Sequence, residues 1–193
     1  EDPAFEAGLI LSWAVNKPRA FIYAHPEMEL DPPEIRRFME LVERRSRGEP
    51  FQYITGECEF MSLRFKVNPG VLVPRSDTEL LAEAALFSLG CDQPFIDPSL
   101  YRVSNQGIRR VLDIGTGSGC LAVSVARYAP YVTVDALDIS EEALETARQN
   151  AELNSVSGAI RFIRADFLND SGFTGCKYDL IISNPPYIPR DDK

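Results

Sequence analysis

The sequence predicts an α/β protein whose main domain is a Rossmann-like, doubly wound parallel sheet. Four apolar segments typical of buried strands alternate with helical segments in the second half of the chain. A glycine-rich turn follows the first of these strands, and an acid or an amide follows each of the other three. Ligands of open α/β sheets bind beyond the carboxyl ends of the strands, so the same pattern predicts a ligand site there.

The elements of this domain follow from the spacing of apolar residues. Strands are predicted over residues 110–114, 132–137, 159–163 and 178–183. The first helix is predicted over residues 120–128, and Pro130 ends it. The second helix starts after Ser140, where Glu141 and Glu142 suit the positive end of the helix dipole.

The N-terminal part of the chain, residues 1–50, is predicted to be a small helical domain. One helix is expected over residues 5–15. A second helix has Asp31 as a suitable N-cap and Pro32 as a suitable first residue. Its apolar periodicity runs to Arg47, and the glycine that follows is a typical stop.

Residues 51–75 are predicted to form a β-hairpin that links this helical domain to the sheet domain, residues 76–193. Apolar residues typical of short strands flank Asn68-Pro69-Gly70, which is a common turn sequence. Asp77 is the predicted N-cap of the next helix. Residues 91–108 are rich in Pro, Asp, Ser, Asn and Gly and are predicted to be a loop.

The composition argues against several classes of site. The net charge of −9 disfavours a large nucleic-acid footprint, which needs clustered Lys and Arg side chains. His25 is the single histidine and the four cysteines are scattered, so we expect no metal site and no histidine-based triad. Free thiols suit a reducing cytoplasm. No apolar run approaches the ~18 residues of a membrane span.

The glycine-rich turn and the acid after the second strand predict a nucleotide-type cofactor. The candidate residues are Asp113, Gly115, Thr116, Gly117, Ser118, Gly119 and Asp138. A NAD dehydrogenase would also use glycines and a ribose-binding acid. However, the glycines are spaced Gly-x-Gly-x-Gly, and Asp113 would repel a diphosphate but suit a cationic amino acid. S-adenosylmethionine has a ribose, an ammonium group and a sulfonium, so the acids favour it over NAD.

Two further strand ends complete the predicted site. Asp166 could accept a hydrogen bond from an adenine amino group while Phe167 packs on the base, although a structural role for both is nearly as good an interpretation. Asn184-Pro185-Pro186-Tyr187 follows the last strand. It combines an amide, rigidly held carbonyls and a flat ring, which suits gripping a planar NH₂ group. Taken alone, it could equally be a proline turn.

Together these motifs resemble a class I S-adenosylmethionine-dependent methyltransferase that modifies an NH₂ group. Further segments resemble, more narrowly, the release factor glutamine methyltransferases of the HemK/PrmC family. These segments are Gly48-Glu49-Pro50, Gln52-Tyr53-Ile54, Gly56-Glu57 and Pro69-Gly70-Val71-Leu72-Val73-Pro74-Arg75. The resemblance covers nearly the whole chain. It departs from the family at Ser76-Asp77, where the family usually has Pro-Glu.

The resemblance implies methyl transfer to the glutamine side chain of the Gly-Gly-Gln motif in class 1 peptide chain release factors. It assigns catalysis to Asn184, Pro185 and Tyr187, places Asn184 at the cofactor as well, and adds Pro186 and Arg75 to substrate binding. The helical domain would recognise the release factor. Ribosomal-protein glutamine and DNA adenine methyltransferases stay open as alternatives, with a non-catalytic cofactor-binding module as the least favoured.

The C-terminal end carries one more expectation. The sheet of class I methyltransferases usually has seven strands in the order 3-2-1-4-5-7-6, whereas four are predicted here. The strand over residues 178–183 would lie at a sheet edge with open hydrogen-bonding groups. We therefore expect C-terminal strands to be missing and the sequence to be a fragment. We also expect a monomer, since no apolar helix face is left over.

Overall fold

A computed structural model describes residues 2–91, 109–170 and 175–185 of the chain. Contacts divide the chain into two compact units, Glu1–Gly56 and Glu57–Lys193. The predicted loop lies almost wholly outside the described residues, as do Pro186 and Tyr187. Within the described ranges, none of the helices has the length and apolar character that a membrane crossing requires.

The first unit is helical, as predicted. Its helices are α1 (Pro3–Ala14), α2 (Arg19–Ala24), α3 (Pro32–Ser46) and α4 (Phe51–Thr55). Asp31 caps α3 through a reciprocal capping box: its side chain accepts from the Glu34 N–H, and the Glu34 side chain accepts from the Asp31 N–H. The small core contains Ile10, Ala14, Leu41 and Ile54. The start of the predicted hairpin is therefore wrong, because residues 51–55 form the helix α4.

The hairpin itself is shorter than predicted and turns elsewhere. Strands β1 (Glu57–Phe60) and β2 (Leu63–Lys66) pair antiparallel, with Phe60 opposite Leu63. The two-residue turn between them consists of Met61 and Ser62, whose φ angles are +51° and +58°. Positive φ at both central residues matches the twist of the flanking strands. Asn68-Pro69-Gly70 does form a turn, in which the Val71 N–H donates to the Asn68 carbonyl at 3.1 Å. The prediction that this turn closes the hairpin is wrong, because residues 71–73 form no strand.

Helix α5 (Ser76–Ser88) starts before the predicted cap. Arg75 occupies the N-cap position without a side-chain hydrogen bond, and Asp77 lies inside the first turn. The prediction of Asp77 as the N-cap is therefore wrong. An acid in the first turn still interacts favourably with the helix dipole. The Glu79 carboxylate accepts from the Met61 N–H at 2.7 Å, which fastens this turn to the hairpin.

The sheet has the predicted topology. Strands β3 (Arg109–Ile114), β4 (Val132–Asp138), β5 (Ile160–Arg164) and β6 (Leu180–Ser183) are parallel in the order β5-β4-β3-β6. Helix α6 (Cys120–Tyr128) follows β3, and α7 (Glu141–Leu153) follows β4, with Ser140 as the predicted N-cap. A single 3₁₀ turn (Ser157–Ala159) precedes β5. Each predicted strand boundary lies within two residues of the observed one.

The core of this unit aligns the strand ends that form the site. Small and β-branched side chains pack between the sheet and α6; among the most buried are Val111, Val123, Val125, Val134 and Ala136. The register places Ile114, the last residue of β3, opposite Leu137 on one side and Ser183 on the other. The residues that follow these three strands therefore meet at one edge of the sheet.

Candidate functional site

A cavity of about 410 Å³ opens at the carboxyl ends of the parallel strands. It lies where the strand order reverses between β3 and β6, which is the usual ligand site of an open α/β sheet. Its lining combines residues 70–72, here called the pre-core segment, with the glycine turn and the ends of β4, β5 and β6. The lining residues are Gly70, Val71, Leu72, Ile114, Gly115, Gly117, Leu137, Asp138, Ile139, Ser140, Ala143, Ala165, Asp166, Phe167, Leu168 and Asn184.

The glycine turn takes a shape that other residues would strain. Gly115, Gly117 and Gly119 all have positive φ, between +56° and +79°. A Cβ on Gly119 would also lie 2.9 Å from the Cβ of Ala147 on α7. Gly115 and Gly117 line the cavity, whereas Thr116, Ser118 and Gly119 do not. The turn therefore presents backbone to the cavity and tucks its side chains beneath it.

Asp138 borders the cavity with a carboxylate that the backbone holds in place. Its Oδ2 accepts from the Gly117 N–H and its Oδ1 accepts from the Ser140 N–H, both at 2.9 Å. One acid thus ties the glycine turn to the start of α7. Each carboxylate oxygen can accept more than one hydrogen bond, so Asp138 keeps acceptor capacity for the hydroxyl groups of a ligand.

Asp113 was predicted to contact the cofactor, but its side chain lies under the glycine turn. It is 1% exposed and does not line the cavity. The Thr116 hydroxyl donates to its Oδ2 at 2.7 Å. Burial raises the pKa of this carboxyl to about 6, although the Thr116 hydroxyl and the Ala122 amide both favour the charged form. The structure therefore makes Asp113 a support of the turn.

Asp166 and Phe167 lie together at the end of β5, and both line the cavity. The Asp166 carboxylate accepts from the Asn169 side-chain amide at 2.7 Å and from the Leu168 N–H at 3.0 Å. The hydrogen bond from Asn169, followed by that from Leu168, lowers the pKa of Asp166 below its usual value. Phe167 is 38% exposed, and an aromatic ring at this point of the lining can pack on a flat ligand.

Asn184 borders the cavity directly after β6. Its Nδ2 donates to the Thr78 hydroxyl of α5 at 2.9 Å. The preceding residue is also fixed, because the Ser183 hydroxyl donates to the Ile114 carbonyl at 2.8 Å. Pro185 is exposed and outside the lining, as is Arg75. The predicted contributions of Pro186 and Tyr187 lie outside the described residues.

The pre-core segment supplies a wall that the site prediction missed. Gly70, Val71 and Leu72 line the cavity. Asn68 holds this segment, because its Oδ1 accepts from the Gly70 N–H at 2.8 Å and its Nδ2 donates to the Thr146 hydroxyl at 2.9 Å. These residues belong to residues 69–75, a segment that resembles the HemK/PrmC family, so the sequence contains a signal for this part of the site.

Both parts of the chain match known methyltransferase domains. The PrmC N-terminal domain matches residues 1–56, and the methyltransferase small domain matches residues 100–192. The release factor glutamine methyltransferase of Moorella thermoacetica is 40% identical over 98% of this chain. In sequence, this chain is therefore similar to the release factor glutamine methyltransferases of the HemK/PrmC family. A second relative, the release factor glutamine methyltransferase of Koribacter versatilis, is 40% identical over 96% of the chain.

The chain spans about three fifths of the length of these family members, 61% and 60% respectively. Among solved structures, human methyltransferase 10 domain containing protein superposes with a TM-score of 0.50 at 20% identity. The match covers 67% of this chain and 57% of that one. At this identity the likeness concerns the fold alone, and it agrees with the predicted methyltransferase sheet.

Proposed function

We propose that this protein transfers a methyl group from S-adenosylmethionine to the side-chain nitrogen of a glutamine in class 1 peptide chain release factors. The observation that carries the proposal is Asn184, whose amide borders the cavity beside the glycine turn. An amide held at that point can recognise a planar NH₂ group next to a bound cofactor. The names of the two relatives and the match of both domains support glutamine as the acceptor.

The cavity suits S-adenosylmethionine in size and in chemistry. Its volume lies within the range of roughly 300–1,000 Å³ typical of small-molecule sites. Asp138 would accept from the ribose hydroxyls, Asp166 from the adenine amino group, and Phe167 would pack on the base. The backbone of Gly115 and Gly117 would lie against the amino-acid part. When bound, the cofactor supplies an electrophilic methyl group on a sulfonium.

Methyl transfer to an amide nitrogen depends on alignment, since the nitrogen lone pair is delocalised into the carbonyl. The Asn184 Oδ1 and the Pro185 carbonyl would accept from the two hydrogens of the glutamine NH₂ group. Tyr187 would stack on the plane of the amide. These contacts hold the nitrogen toward the methyl group, so rate acceleration rests on proximity and oriented dipoles. The N–C bond forms as the S–C bond breaks, and the nitrogen loses one of its two protons to solvent, so no side-chain base is assigned.

The helical unit is the proposed recognition domain for the release factor. It has its own cavity of about 660 Å³, bordered by apolar side chains including Phe5, Leu9, Ile10 and Phe51. A separate recognition unit would leave the sheet unit free for chemistry. We further propose that the protein works as a monomer in the cytoplasm, where its release factor partner acts.

The decisive experiment follows the label from methyl-labelled S-adenosylmethionine. The complete protein is incubated with a class 1 release factor, with the same factor carrying a glutamine-to-alanine change in its Gly-Gly-Gln motif, with ribosomal proteins, and with duplex DNA. We expect label on the unchanged factor alone, at the glutamine located by mass spectrometry. Label that survives the glutamine change, or that appears on ribosomal protein or adenine instead, would refute the proposed acceptor.

A further inference from the structure

Thr78 is a buried threonine in the first turn of α5 that no part of the proposed mechanism has used. It is 6% exposed, and its N–H donates to the Arg75 carbonyl at 2.9 Å. The neighbouring Glu79 is fixed to the hairpin through the Met61 N–H. The backbone around Thr78 is therefore held on two sides, which gives its hydroxyl a defined position.

That hydroxyl meets the Asn184 amide, which borders the cavity. Asn184 Nδ2 donates to Thr78 Oγ1 at 2.9 Å, and this is the side chain's one hydrogen bond within the described ranges. An asparagine can present either its oxygen or its NH₂ group to a ligand, depending on the rotation of its amide. With Nδ2 directed at Thr78, Oδ1 stays available as an acceptor.

We propose that Thr78 is a positioning residue that sets the orientation of the Asn184 amide, so that Oδ1 rather than Nδ2 meets the acceptor NH₂ group. This inference rests on the proposed function. Two NH₂ groups facing each other have no acceptor between them, so a rotated Asn184 would fail to bind the glutamine nitrogen. Thr78 contacts neither substrate nor cofactor in this role and acts only through Asn184.

The location of Thr78 strengthens this assignment. It lies in α5, more than 100 residues before Asn184 in the sequence, so its hydrogen bond to Asn184 joins α5 to the end of β6. The Ser183 hydroxyl already fixes the strand end to Ile114. The bond from Ser183 thus holds the end of β6, and the bond to Thr78 of α5 holds the Asn184 side chain. Two separate restraints of this kind are suited to orienting a group for reaction.

Steady-state methyl transfer to a release factor tests the inference. Thr78→Val keeps the shape and removes the hydroxyl, so we expect kcat to fall about tenfold while the Kd for S-adenosylmethionine stays within about twofold. Thr78→Ser restores the hydroxyl and should recover most of kcat. Thr133→Val, a matched change at an exposed position of β4, should leave kcat unchanged.

A double-mutant cycle separates positioning from a general effect on the fold. In the Asn184→Ala background, Thr78→Val should cause no further loss of kcat. An independent tenfold loss in that background, or an unchanged kcat for Thr78→Val alone, would overturn the inference. Circular dichroism and cofactor titration report whether each variant is folded.

Nuclear magnetic resonance of the unsubstituted protein tests the hydrogen bond between Thr78 and Asn184 directly, even if Thr78→Val does not fold. The Asn184 side-chain NH₂ signals, assigned by their loss in Asn184→Asp, should show slowed solvent exchange from the bond to Thr78. Rapid exchange would overturn the inference. If the unsubstituted protein methylates no release factor, the proposed function fails, while the exchange measurement still reports on the Thr78–Asn184 bond.

Discussion

Asn150 of α7 satisfies both backbone polar groups of Lys66 in β2. Its Oδ1 accepts from the Lys66 N–H at 2.6 Å, and its Nδ2 donates to the Lys66 carbonyl at 2.9 Å. The same Nδ2 donates to the carbonyl of Ser118 in the glycine turn at 2.8 Å. One fully buried side chain therefore joins the hairpin, α7 and the turn that borders the cavity.

Replacing Asn150 by alanine should destabilise the sheet unit by about 2–4 kcal/mol. The change removes three hydrogen bonds and leaves buried backbone groups without partners. Chemical denaturation followed by circular dichroism measures the loss. Gln149→Ala is the matched control, because Gln149 precedes Asn150 in sequence and its hydrogen bonds among the described residues are long, exposed ones to Lys66 and Glu145. A loss no greater than that of Gln149→Ala would contradict the role of Asn150.

The hairpin turn offers a stabilising change. Ser62 is exposed and has a φ of +58°, a left-handed conformation that strains a residue with a Cβ. Ser62→Gly should raise the free energy of unfolding by about 0.5–1 kcal/mol. Ser88→Gly, at a helical position of α5, should lower it by a similar amount. Thermal unfolding of both variants checks the sign, and a destabilised Ser62→Gly would contradict the argument.

The parallel sheet could be predicted from the sequence because its strands are short apolar runs that end in polar residues. The hairpin turn could not. Met61 and Ser62 are not typical turn residues, whereas Asn68-Pro69-Gly70 is, so local propensity favoured the wrong position. The observed turn depends on distant partners: Glu79 accepts from the Met61 N–H, and the Tyr128 hydroxyl donates to the Met61 carbonyl at 2.6 Å.

The candidate site could also be predicted only in part from the sequence. Gly115, Gly117, Asp138, Asp166, Phe167 and Asn184 could be assigned to one edge of the sheet, because parallel strands end together. The burial of Asp113 could not be predicted, because local sequence does not indicate whether a single acid beside a turn points into the core or into the cavity. Thr78 was missed for a related reason: its contact with Asn184 depends on how α5 packs beside β6, which no local pattern records.

Asp138 should be needed for cofactor affinity. Asp138→Asn replaces one carboxylate oxygen by an NH₂ group, which would face either the Gly117 N–H or the Ser140 N–H, donor against donor. We expect the Kd for S-adenosylmethionine to rise at least tenfold by isothermal titration calorimetry. Glu141→Gln, a change of the same chemistry on the exposed Arg148 pair, is the control. Equal affinities would place the ribose elsewhere.

Asp113 should make stability depend on pH. Its pKa is raised from 3.8 to about 6 by burial, so the folded state binds more protons than the unfolded state between these values. The contribution of this group to stability is therefore fully present below pH 3.8 and is lost as the pH rises through 6. A shift of this size corresponds to roughly 2–3 kcal/mol at neutral pH.

Asp113→Asn should recover much of that loss, because it removes the buried charge while its amide can still pair with the Thr116 hydroxyl. Chemical denaturation between pH 4 and pH 8 should show a stabilised variant at pH 8 and a difference that vanishes toward pH 4. Asp77→Asn, at an exposed position of α5, should show no such gain. A difference that stays constant with pH would contradict the assignment. If the variant gains stability but binds S-adenosylmethionine more weakly, the charge of Asp113 is retained for the cofactor at the expense of the fold.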